Sequence, residues 1–106
     1  MGYYTDYTIT TDKAIPEDFD EKFEQITDYS IYDMELLNVK WYDHKDDMLK
    51  ISKEYPDILF TVDGDGEDQG DVWREYYKNG RMQRVEPKVI WPEFDEDKFA
   101  SDKTYI

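Results

Sequence analysis

A chain of 106 residues with 27 Asp plus Glu against 13 Lys plus Arg has a formal net charge of -14, which excludes a protein drawn to nucleic acid by its overall field. Its length allows one core and leaves no room for a two-domain cofactor cleft. The absence of cysteine removes disulfides, thiolate catalysis and Cys-based metal centres, while an aromatic fraction of 17% supplies a core that a charged fraction of 38% would otherwise argue against.

Residues 3–11 alternate, with Tyr3, Thr5, Tyr7 and Ile9 on one side, and predict a first strand. After Pro16, the i, i+4, i+7 spacing of Phe19, Phe23 and Ile26 predicts a short amphipathic helix with acids in its first turn. Residues 29–35 have no clean period. Leu37, Val39 and Trp41 then alternate with Asn38 and Lys40, which predicts a second strand over 36–42 with those three on one face. Asp43 stands as N-cap of a second helix over 44–54, whose stripe is His44, Met48, Ile51 and Tyr55 and whose stop is Pro56.

Residues 58–62 are apolar on both faces and predict a central strand, ended by an acidic, glycine-rich loop over 63–71. A strand over 71–78 leads into Asn79-Gly80, the pair that favours a type I′ hairpin. A two-residue loop sets Tyr77 opposite Met82 and Glu75 opposite Arg84. Pro87 marks the last strand as an edge. Residues 1–91 therefore read as one α+β domain and 92–106 as an acidic tail, open between a helical turn, packing through Phe94 and Phe99, and no fixed structure. Two helices on one mainly antiparallel sheet predict a two-layer sandwich of ferredoxin-like arrangement.

Catalytic signatures are missing. Counting from Asp63, a calcium loop would need Gly and Glu where Asp68 and Arg74 stand, so the segment reads as an acidic turn that needs no metal, with Gly64, Gly66 and Gly70 relaxing its backbone. His44 is the only histidine and is expected to serve a helix face or cap. No nucleophile-elbow, P-loop or dinucleotide glycine motif occurs. These readings predict a non-enzyme with no catalytic residue, metal or cofactor. Residues 1–12 lack a signal-peptide pattern and no apolar run approaches the roughly 20 residues of a membrane span, so a soluble protein of the cytoplasm is expected.

The charge is unevenly laid out. Residues 12–28 hold seven acids against two bases and residues 57–71 hold six acids and no base, whereas residues 72–91 hold five bases against two acids. Carboxylates opposite the apolar helix stripe must face water and repel one another. The residues expected to bind a partner are Glu17, Asp20, Glu21 and Glu24 on the first helix and Asp63, Asp65, Glu67, Asp68 and Asp71 in the loop. The hairpin bases Arg74, Lys78, Arg81 and Arg84 are expected on display, able to meet the acids of a second copy in a weak dimer. Tyr and Trp exceed what a core this small usually hides, so some should be exposed.

The stretches KWYDH (40–44), SKEYPDILFTV (52–62) and GEDQGDVWREYYKNGRMQ (66–83) resemble the YubB-like family, small ferredoxin-like proteins of phages and plasmids. The resemblance covers about 45 residues of the middle of the chain and implies a mobile-element origin and a ferredoxin-like fold, with no catalytic signature. Together with the charge it leads to an expected inhibitor, of anti-CRISPR or anti-restriction type, that mimics nucleic-acid charge. Its partner would be a basic nucleic-acid-binding host protein, with no direct nucleic-acid or membrane binding and a monomeric or weakly dimeric state. The alternative is an acidic accessory module without mimicry, and a weak divalent-cation-binding module using Asp63, Asp65, Glu67 and Asp71 ranks below both.

Overall fold

The structure is a computed structural model that describes residues 2–99. The chain runs β1 (Thr5–Thr11), α1 (Phe19–Thr27), β2 (Glu35–Val39), α2 (His44–Glu54), β3 (Phe60–Gly66), β4 (Val72–Lys78), β5 (Arg81–Val85) and a 3-10 turn at Glu96–Lys98. The five strands form one antiparallel sheet in the order β2-β1-β3-β4-β5. Alternation sends Tyr7, Ile9, Phe60, Val62, Trp73 and Tyr77 to one face, where Phe19 and Phe23 of α1 and Met48 and Ile51 of α2 meet them in a single buried cluster. Much of that core is aromatic: the Tyr7 ring lies edge-on to both Trp41 and Trp73, and Phe19 stacks on Phe60. Among the described residues, the other face of the sheet carries no helix.

The two-layer α+β architecture is as expected, but the ferredoxin-like arrangement is not. That topology uses two split β-α-β units. Here only α2 spans such a unit, joining β2 to β3 across β1, whereas α1 joins β1 to its own antiparallel neighbour. The difference arises in the aperiodic residues 28–34. Asp28 ends α1 with a left-handed backbone. The chain then reverses between Tyr32 and Glu35, whose backbones exchange two hydrogen bonds around Asp33 and Met34, both at positive φ. This is I′-type turn geometry without glycine, so the sequence carried no turn signal.

The second strand also departs from its expected face. Leu36 pairs with Tyr7 and is buried, while Leu37 is exposed. Asn38 at φ 56° forms a bulge opposite the Thr5–Tyr7 step, and the extra residue restores Val39 and Trp41 to the inner side. Asp43 occupies the N-cap of α2 but its side chain makes no capping hydrogen bond. The third strand is central as expected, yet it continues through Asp63, Gly64 and Asp65 instead of ending at Val62.

The hairpin has the expected register, with Tyr77 opposite Met82, Glu75 opposite Arg84, and β5 at an edge. Asn79 and Gly80 both have positive φ, and the Gly80 N–H donates to Ser52 Oγ of α2 at 2.8 Å. A Cβ at Gly80 would also press into the Lys53 side chain. Gly80→Val is therefore expected to lower stability by on the order of 1 kcal/mol or more, read as a drop in the thermal midpoint. An unchanged melt would show that the turn does not need this backbone.

Residues 86–99 are exposed throughout, and Phe94 and Phe99 contact each other edge-on at 5.1 Å while remaining exposed. The rest of the tail, residues 100–106, lies outside the described residues. No helix among the described residues is long and apolar enough to cross a membrane.

Candidate functional site

The expected acidic residues do not form one surface. Packing Phe19 and Phe23 against the core turns the opposite side of α1 to water, and there Glu17, Asp20, Glu21 and Glu24 are all exposed. Their i, i+3, i+4, i+7 spacing aligns them as one stripe, with Glu17 in the turn that leads into the helix. Glu24 accepts a hydrogen bond from the Ser30 hydroxyl, and Lys22, the one base of α1, is directed to Glu54 on α2. Glu17, Asp20 and Glu21 have no ion-pair partner among the described residues.

The second acidic segment is divided by the strand it extends. Asp63 and Asp65 point to the helix-free face, while Gly64 between them points inward, where a Cβ would overlap the Trp73 indole. Gly64 is therefore required for close packing, and of the three loop glycines only Gly70 has positive φ. On the open face Asp65 lies directly opposite Asp6 of β1, a like-charge cross-strand pair that opposes folding. Asp6 is partly compensated by accepting the Asn38 N–H of the bulge at 2.6 Å. Asp63 holds Arg74 in a two-pronged pair at 2.6 and 3.1 Å, which raises the guanidinium above its ordinary value. Between these acids and the residues after β5 lies a shallow depression of about 600 Å³, bordered by Leu37, Val72, Tyr76 and Pro87.

Glu67, Asp68 and Asp71 form the true loop, and their roles are structural. The Tyr3 hydroxyl donates to Asp71 Oδ2 at 2.6 Å and accepts the Asp68 N–H at 2.9 Å, while Glu67 Oε1 accepts the Tyr4 N–H. The bond to Asp71 raises the Tyr3 phenol above its ordinary value. These contacts pin the entry of β1 to the exit of β3. Among the described residues, no three His, Asp or Glu side chains converge as a metal-ion site.

The basic hairpin is dispersed as well. Arg74 is bound to Asp63 on the open face, whereas Arg84 lies on the helix side, where it reaches the fully buried Glu75 at 3.0 Å and covers the Trp73 ring at 4.9 Å. Glu75 Oε1 also accepts from the Tyr77 hydroxyl at 2.6 Å and from His44 Nε2 at 2.8 Å, whose ring is stacked on Trp73. Burial acts to raise the Glu75 carboxyl, but the His44 and Tyr77 hydrogen bonds and the His44 and Arg84 charges outweigh it and hold it below the ordinary value. Burial beside Glu75 pushes the Tyr77 phenol strongly up. His44 is thus a wedged interior group with its Nε2 committed to a carboxylate. Glu75 was recognisable from the W-x-E-x-Y alternation of β4, which puts it on the same face as Trp73 and Tyr77. Asp6 was likewise recognisable from its place between the inward residues Thr5 and Tyr7.

Of the aromatic surplus, Tyr7, Trp41, Trp73 and Tyr77 are core, and Tyr32, Tyr42 and Trp91 are exposed. No family model matches the chain, and neither does any curated protein or solved structure.

Proposed function

We propose that the protein is a non-enzymatic acidic inhibitor, carried by a phage or mobile element, whose α1 carboxylates stand in for nucleic-acid phosphates at a basic site of a DNA-handling or defence protein. The observation that carries this reading is the stripe of Glu17, Asp20, Glu21 and Glu24, exposed in helical register and lacking a matching row of bases. Asp20 and Glu21 suit the first turn of α1 and Glu24 meets Ser30, but like charges at i, i+4 repel one another, so folding does not account for the whole stripe. Such a row instead favours fast, oriented encounter with a cationic groove. Glu67, Asp68 and Asp71, being tied to Tyr3 and Tyr4, and Asp63 and Asp65, facing the other side of the sheet, fall outside the working surface of this proposal.

The quadruple variant Glu17→Gln, Asp20→Asn, Glu21→Gln, Glu24→Gln is expected to fold as well as the parent or better, and to lose the proteins that the parent captures from nuclease-treated host lysate. Capture by the parent should weaken as salt rises, because charge pairs at a rim are screened over about 8 Å at physiological ionic strength. Added DNA or RNA should compete. An unchanged set of captured proteins, indifferent to nucleic acid, would replace mimicry with an accessory module that binds through exposed side chains such as Tyr32, Leu37 and Tyr42.

A further inference from the structure

The strongest feature not absorbed by the acidic stripe is the segment that follows the sheet. Val89, Ile90, Trp91, Phe94 and Phe99 are each 73–85% exposed. A run of five large apolar side chains without cover among the described residues marks an interaction element. The same segment is acidic, with Glu93, Asp95, Glu96 and Asp97 against Lys98 over 92–99. It is also locally shaped, because Asp95 accepts the Asp97 N–H at the start of the 3-10 turn and the Phe94 and Phe99 rings meet at 5.1 Å.

A complementary surface exists at the hairpin end of the sheet. There Pro56, Leu59, Tyr76, Lys78, Arg81 and Met82 line an open groove of about 600 Å³. Lys78 and Arg81 face each other across β4 and β5, a like-charge pair that costs stability, and neither has an ion-pair partner among the described residues. The groove is therefore lined by both cationic and apolar residues, and the tail is anionic with aromatic side chains.

We infer that the segment 89–99 of one copy docks in the hairpin-end groove of a second copy, Trp91 or Phe94 packing on Leu59 and Tyr76 and the tail carboxylates meeting Lys78 and Arg81. A second copy is the occupant because the tail carboxylates are opposite in charge to Lys78 and Arg81, while among the described residues the tail of one copy leaves its own rings exposed. Reciprocal exchange of two tails closes the assembly as a twofold dimer. The inference uses neither α1 nor a foreign partner, so it stands or falls apart from the proposed function.

The test is sedimentation of the full chain over a concentration series near 0.15 M salt. At that ionic strength repulsion between two copies of charge -14 is screened, while contact pairs persist. Reversible dimerisation is expected, with Trp91 gaining protection from acrylamide quenching as concentration rises. A groove variant, Lys78→Glu with Arg81→Glu, and a tail variant, Glu93→Lys with Asp95→Lys, should each self-associate at least tenfold more weakly. Mixed together they should form a heterodimer, because the reversed tail now fits the reversed groove. That rescue also shows that both variants are folded. The inference is overturned if the parent stays monomeric with Trp91 fully quenchable, or if Trp91 is protected independently of concentration, which would place the tail on its own chain. It is equally overturned if the parent dimerises but the mixed variants do not.

Discussion

Replacing Glu75 with alanine is expected to cost about 3 kcal/mol of unfolding free energy, the range for breaking a buried, hydrogen-bonded ion cluster. The side chain is fully buried, and its removal strips an acceptor from the Tyr77 hydroxyl, from His44 Nε2 and from Arg84 Nη1 at once, in addition to opening a cavity. Glu75→Gln keeps the shape and isolates the charge. Because the folded Glu75 carboxyl lies below its unfolded value near 4.5, its ionisation stabilises the fold fully above that value, and the contribution is lost as pH falls through the lower folded value. The stability gap between the parent and Glu75→Gln should therefore be widest above the unfolded value near 4.5 and narrow as pH falls below it in chemical denaturation. A gap that does not change with pH would mean that Glu75 is not ionised in the fold.

Gly64→Val is expected to be at least as damaging as the loss of a cap or a surface pair, on the order of 3 kcal/mol, because overfilling a packed interior has few outlets. Gly64 is buried at the centre of the sheet, and any Cβ there would overlap the six-membered ring of Trp73. That indole cannot retreat freely. It is held in edge-on contact with Tyr7, stacked with His44 and covered by Arg84. Near-ultraviolet circular dichroism should lose intensity along with the fall in melting temperature, since the Trp73 environment is what moves. Gly70→Val, where added atoms meet open space and only the positive φ of 83° opposes the substitution, should cost less and leave that signal intact. Equal effects at the two glycines would mean that backbone freedom, and not the indole, is what position 64 requires.

Local chemistry made much of the fold legible. The α2 bounds, the amphipathic face of α1, the alternation of β1 and the register of the Asn79-Gly80 hairpin all follow from spacings of four residues or fewer and from turn residues whose backbone preferences are intrinsic. The exposure of Glu17, Asp20, Glu21 and Glu24 was readable for the same reason, since a helix that buries Phe19 and Phe23 must turn its other side outward. What the tertiary structure alone decided depends on neighbours distant in sequence. The strand order rests on a glycine-free reversal at Asp33 and Met34, and the inner face of β2 on a bulge at Asn38. Asp63 and Asp65 left the loop because β1 and β4 offered backbone partners on both sides, extending β3 through residues that carry little strand preference of their own. Glu75 is buried and charged because Arg84, His44 and Tyr77 converge on it from β5, α2 and its own strand, a coincidence of three elements that no window of sequence contains. Periodicity specifies which side of an element faces inward, but only packing determines which groups meet there and whether a charge among them is compensated.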